Sequence, residues 1–326
     1  MARSGIAVDA MSRVHVLYED EGRLMYGTVD SDRSWTTREL DADGIQGSLA
    51  IDASGRVHIS YLQGEQRDLR YGLLDAAATW SSQLVASRVA FGTAMAVDAA
   101  GRAHITYYVG AALYHSALEG DRWVASTVDA NVGFRGLDEA RSAIAIDGAG
   151  QLHIAYYDGV RRGVRYAHGR DGVFSIESVE PTSAASHGEF LSMNVDRAGG
   201  VHLAYVVRVS NVRRTLRYAY RSPAGAYRLT AVESGDRYDY GETAIVADDR
   251  GGVHLLYRHT VSADSSLMYE YRDGSGRRLS EQLDGSWPLA GYAPAIALDR
   301  NGGVHVVSNR RTRGQLHYTF RYPCRE

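Results

Sequence analysis

Lysine is absent from this chain. All 36 basic residues are arginine, and with 39 acidic residues they leave a formal net charge of -3. Such a balance lacks the basic stripe that neutralises phosphates, so nucleic acid is excluded as a partner. Cysteine is nearly absent as well: Cys324 stands alone near the C-terminal end, which rules out an intramolecular disulfide and leaves the redox compartment unread. No run of 18 apolar residues occurs, so no helical membrane span is expected. The opening "MARSGIAVDA" lacks the apolar stretch of a secretory leader. A mature secreted or periplasmic form, its leader already removed, is favoured over a cytoplasmic one. Helical periodicity is missing, yet an apolar content of 44% beside 23% charged residues excludes a disordered chain and provides for a sizeable core.

What is present is a phrase written seven times. In "AIDGAGQLHIAYYDG" an aspartate precedes a histidine by six residues, and that spacing recurs without variation. The pairs are Asp9/His15, Asp52/His58, Asp98/His104, Asp147/His153, Asp196/His202, Asp248/His254 and Asp299/His305. A glycine sits midway in six copies, with Ser12 in the first. Tyr18, Tyr61, Tyr107, Tyr156, Tyr205 and Tyr257 follow three residues after the histidine, with Ser308 in the last copy. A second tyrosine is read further along each repeat, as Tyr26, Tyr71, Tyr114, Tyr166, Tyr218, Tyr269 and Tyr318. Histidine-to-histidine spacings of 43 to 52 residues belong to propellers, solenoids or arrays. Each unit reads as four short strands, such as "SLAID", "RVHISY", "DLRYGLL" and "WSSQLV", parted by Gly, Asp and Ser turns.

The expected fold is therefore all-β, a seven-bladed β-propeller of four-stranded antiparallel blades; blade seven supplies strands A to C, ending at "LHYTFRYP", so either it has three strands or an upstream segment that completed it is missing from this chain. We read one domain over residues 1–326, with blades at about 5–41, 48–86, 93–129, 142–180, 191–233, 243–284 and 293–322. Strand A is innermost and ends at the aspartate. The D-x-x-G turn reverses the chain into strand B, with glycine taking positive φ and the carboxylate accepting turn amides. Seven histidines on strand B of such a ring stand about 10 Å apart, too far to share a metal ion. They are read as scaffold, hydrogen-bonded within or between blades.

Quoted as they stand, "IDASGRVHISY" and "LDRNGGVHVVS" resemble the Asp-box and BNR-like repeats of bacterial sialidase-type and lectin-type propellers, over nearly the whole chain. The resemblance implies a propeller that handles glycans. An active sialidase needs an arginine triad, a tyrosine nucleophile with a glutamate partner and a general acid, and no such set can be placed here. "SMNVDRAGGVHLAY" is also similar to repeats of BNR-like ulvan lyases, which implies histidine and tyrosine for proton abstraction and arginine to neutralise a uronate. His187-Gly188 echoes part of that family's motif, but no partner histidine follows Tyr205.

Specific recognition is expected where the repeats differ, on the D-to-A and B-to-C connections that share one face around the channel mouth. Long connections in blades four to six, among them "DANVGFRGLDEARS" and "ESGDRYDYGET", make that the richer side. They and the connection into blade seven yield Arg135, Asp138, Glu139, Arg141, His187, Glu189, Arg237, Tyr238, Asp239, Tyr240, Glu242, Trp287 and Tyr292 as ligand-binding candidates. Arg141, Glu242 and Tyr292 immediately precede strand A and should lie nearest the channel. For catalysis the candidates are His187, Tyr240, Arg141 and His259, the two histidines as general bases. Three functions fit: a binding module for a glycan or other small polar ligand, a polysaccharide lyase or glycoside hydrolase on the same face, or a protein-interaction scaffold. No P-loop, dinucleotide fingerprint, zinc pattern, G-x-S-x-G elbow or EF-hand occurs, so neither cofactor nor metal is predicted.

Overall fold

The computed structural model describes residues 4–30, 34–90, 92–133, 142–180, 186–210, 214–234, 238–261, 264–284, 292–310 and 315–322. Seven antiparallel sheets follow one another along the chain, six of four strands and the last of three, and no helix occurs among the described residues. Every sheet is a simple meander of consecutive strands, here called A to D from the axis outward. The A strands are Gly5–Val8, Gly44–Ile51, Thr93–Val97, Ser142–Ile146, Ser186–Val195, Tyr238–Ala247 and Tyr292–Leu298. Together they line a central cavity of about 290 Å³.

No blade has a core of its own. Each apolar cluster straddles two neighbours: Leu17, Leu24 and Leu40 of blade one close on Val57, Ile59 and Tyr61 of blade two, and the same pattern recurs around the ring. The ring closes without strand exchange. Val14, Val16 and Val29 of blade one pack on Val307 of blade seven, and Trp35 meets the edge of Tyr318 at 5.7 Å. Ser4 also donates to the carbonyl of Ala293 at 2.7 Å.

The turn between strands A and B explains the invariant spacing. One carboxylate oxygen of each aspartate accepts the backbone N–H groups two and four residues on, at 2.7–3.0 Å in all seven copies. The residue three on takes φ between +77° and +82° in the six glycine copies, and Ser12 takes +61° in the first. The other carboxylate oxygen lies 3.0–3.4 Å from the histidine Nε2. The histidine Nδ1 faces a strand C tyrosine hydroxyl at 2.5–2.8 Å in six blades. A neutral imidazole protonated at Nε2 serves both contacts, donating to the carboxylate and accepting from the phenol. Blade three differs: the residue in that place is His115, 3.0 Å from His104, so Tyr114 is not the equivalent of the other second tyrosines. Tyr114 lies opposite Tyr107 instead.

Burial lowers the proton affinity of His15, His58, His104, His153, His202, His254 and His305, against the opposing pull of their aspartates. Burial and the adjacent His104 push His115 down to about 3. For Asp9, Asp52, Asp98, Asp147 and Asp248 burial acts upward, but hydrogen bonds from turn amides and side chains outweigh it, and the carboxyls lie below their ordinary value. Both shifts have the same sign of consequence. As pH falls below the histidines' ordinary 6.5, the unfolded chain takes up protons that the folded one refuses, and the carboxylates extend the loss at lower pH. The melting temperature is therefore expected to hold above about pH 7 and to fall steadily toward about pH 4. A scanning-calorimetry series showing a level or rising melting temperature over that interval would contradict the assignment of neutral histidines.

Candidate functional site at the channel mouth

A meander places the A-to-B and C-to-D turns on one face and the B-to-C and D-to-A connections on the other. On that second, loop face, strand A is distorted just where it enters the channel. Six residues before the turn aspartate, Gln46, Gly92, Phe190 and Ala293 take φ of 54°, 48°, 53° and 47°. The pairing with strand B slips beside this position in blades two, five, six and seven. Below the slip a girdle of hydroxyls links the blades, with Thr93 donating to Ser60 at 2.8 Å and Ser192 lying 2.7 Å from Thr243.

Within this girdle Glu242 breaks the pattern. It lines the cavity, is 3% exposed, and accepts the Nε proton of Arg258 at 2.8 Å. Arg258 is itself buried, donates to Thr260 at 2.9 Å, and lies with its guanidinium carbon 4.6 Å from the centre of the Tyr292 ring on blade seven. Gly241 lies directly beneath it, where a Cβ would come within 2.3 Å of the guanidinium and the arginine would have to move. Removing either partner of such a buried pair leaves the other charge uncompensated, so the two are held together.

Arg258 was not among the candidates, although the sequence carried a signal for it. The residue four after the repeat histidine is Leu62, Tyr108, Tyr157 or Val206 in blades two to five, but Glu19, Arg258 and Asn309 in blades one, six and seven. The polar members are consecutive around the ring. In the same sector Ser308 stands where a tyrosine belongs. In blades two, four and five that tyrosine donates to a carboxylate at or just past the end of strand D of the preceding blade, Tyr61 to Asp41, Tyr156 to Asp129 and Tyr205 to Glu180, at 2.7–2.9 Å, whereas Tyr107 of blade three pairs with Ser116. The carboxylate facing blade seven, Asp284, lies 3.9 Å from His317 instead.

The other candidates are distributed as follows. Glu189, 1% exposed, pairs on blade five with the exposed Arg208 at 2.6 Å and the partly buried Arg214 at 3.1 Å. The register sets His187 opposite Val207, Tyr238 opposite Val261, Asp239 opposite Thr260, and Tyr240 opposite the partly buried His259. Arg135, Asp138, Glu139, Arg141, Arg237 and Trp287 lie outside the described residues. Among the described residues no group of three or more His, Cys, Asp or Glu side chains is arranged to hold a metal ion.

Among the described residues, these features define a seven-bladed propeller whose loop side carries buried carboxylates paired with arginine on blades five and six. No family model matches the chain, and no curated protein matches its sequence. The fold is similar to that of virginiamycin B lyase from Staphylococcus aureus, at 11% identity and a TM-score of 0.64 over 98% of each chain. It is also similar to a polysaccharide lyase, Uly1, at 11% identity and a TM-score of 0.58 over 97% of this chain and 88% of that one. The NanB sialidase from Streptococcus pneumoniae is similar at 11% identity and a TM-score of 0.52, over 98% of this chain and 67% of that one. Likeness at such identities establishes the propeller fold.

The Glu242–Arg258 pair makes a stability prediction. Glu242→Ala leaves a buried guanidinium unpaired and should cost about 3–5 kcal/mol, whereas Glu242→Leu combined with Arg258→Met should recover most of that loss. Urea unfolding of the three proteins checks it, and a harmless single substitution would show that the pair is not buried as described.

Proposed function

We propose that this chain is a ligand-binding propeller that takes a saccharide at the loop-face mouth of its channel, in the sector built by blades six, seven and one. The observation that carries the reading is the Glu242–Arg258–Tyr292 cluster, which departs from the sevenfold repeat and meets the central cavity through Glu242. A fixed carboxylate and guanidinium select hydroxyl geometry, and tyrosine offers a face to the apolar side of a sugar ring. Trp287, from the connection into blade seven, and Tyr238 and Tyr240, at the start of strand A of blade six, add aromatic platforms in this reading, with Arg135, Asp138, Arg141, His187, Glu189 and Arg237 as further polar contacts around the rim. The carbohydrate-active proteins among the similar folds, a polysaccharide lyase and a sialidase, support the same ligand class, as does the resemblance of the Asp-turn repeats to BNR-like propellers.

The test is a glycan array followed by calorimetry on the best ligand. Tyr292→Ala should weaken binding by about tenfold or more, as loss of an aromatic anchor does at other interfaces. Absence of saturable binding to any saccharide would refute the proposal.

One observation favours a second reading, that of a polysaccharide lyase: the register sets Tyr240 directly across from His259, two residues suited to proton transfer. In that case acidic polysaccharides incubated with the protein should yield an unsaturated product with ultraviolet absorbance, and Tyr240→Phe should abolish it. Activity that survives this substitution would exclude the role assigned to the pair.

A further inference from the structure

On the turn face, three consecutive blades carry an arginine at the same place in strand C, next to the aromatic residues Tyr220, Tyr271 and Phe320. Each reaches over the strand C tyrosine of the preceding blade: Arg221 lies 5.1 Å over Tyr166, Arg272 5.2 Å over Tyr218, and Arg321 4.8 Å over Tyr269. At two of these interfaces a glutamate on strand D of the preceding blade completes the arrangement. Glu177, opposite Tyr166 in the register, accepts from Arg221 Nε at 2.5 Å, and Glu281, opposite Tyr269, accepts from Arg321 Nε.

The interface between blades five and six lacks this partner. The residue opposite Tyr218 is Thr230, uncharged and shorter. Arg272 turns back to Glu270 on its own strand, a carboxylate already shared with Arg278. Its Nη2 is left buried with no hydrogen-bond partner among the described residues. In front of it the interface opens into a cavity of about 550 Å³, lined in part by Tyr218, Tyr220, Arg228, Thr230, Arg272 and Arg278. That volume is in the range of small-ligand sites. Arg228, stacked 5.9 Å over Tyr220, forms no ion pair among the described residues. The nearby acids are already committed: Asp196 to two turn amides and His202, Asp273 to the amides of Ser275 and Arg277 and to the Ser275 hydroxyl.

We infer that this cavity binds a carboxylate-bearing saccharide, whose carboxylate occupies the place that Glu177 and Glu281 fill at the equivalent interfaces. The ligand's carboxylate accepts from Arg272 Nη2 and from Arg228, a planar match that guanidinium groups favour. The hydroxyls of Thr230 and Tyr220 are the polar groups left for the sugar ring. The site is on the face opposite to the channel mouth and is independent of the function proposed above.

Calorimetric titration with glucuronate, and with glucose as the uncharged control, tests it. Glucuronate should bind saturably and glucose should not. Thr230→Glu restores the missing partner from within the chain, so it should weaken glucuronate binding by about tenfold or more while raising the melting temperature. Arg272→Gln should weaken binding to a similar degree. No saturable binding of glucuronate, equal binding of glucose, or binding unchanged in Thr230→Glu would each overturn the inference. Neither Thr230 nor Arg272 touches the loop face, so these outcomes leave the saccharide site at the channel mouth to its own test.

Discussion

The tie between aspartate, histidine and strand C residue is the interaction on which the rest of the molecule depends. A single carboxylate caps the hairpin with one oxygen and orients an imidazole with the other, and the imidazole reaches on to strand C. Three strands are thereby held in one register by one short network. A net contribution of even about 1 kcal/mol for each copy, summed over seven, is comparable with the whole stability of a typical domain. Burial keeps the imidazoles neutral and pushes the phenols of Tyr26, Tyr71 and Tyr218 up to about 12, so each remains a hydrogen-bond donor. With one face committed to this task, the opposite face is free to vary.

Between blades a second layer of polar contacts operates, tyrosine to carboxylate on the loop side and arginine to glutamate on the turn side. Both sites proposed for this protein arise where that layer is interrupted. Ser308 replaces a tyrosine beside the charged mouth, and Thr230 replaces a glutamate beside Arg272. A repeated scaffold makes such gaps informative, because the intact copies show which group is missing and where it would stand.

The Asp-to-His spacing was enough to read the blade count and the A-to-B turn, since both follow from contacts between residues close in sequence; the three strands of the last blade were one of two alternatives it left open. Tyr114 shows the limit. Strand C is reached through a connection of variable length, so the order of tyrosines along the chain does not fix which residue faces the histidine, and the cross-strand register puts His115 in that place. Glu242 and Tyr292, expected just ahead of strand A, lie within it because strand A begins earlier in these blades, and the arginine that joins them lies on strand B, where the equivalent residue is Leu62, Tyr108, Tyr157 or Val206 in four other blades. The contrast between Thr230 and the two glutamates likewise needs the strand D register, which no local pattern encodes.

The sharing of every apolar cluster between two neighbours has a further effect on how the molecule can come apart. A linear stack of repeats can fray from its ends and needs special terminal units to seal them. Here the first and last blades seal each other, so no unit is terminal, and melting any one sheet strips the cover from two others at once. Loss of structure should accordingly spread through the circle as one event rather than proceed blade after blade.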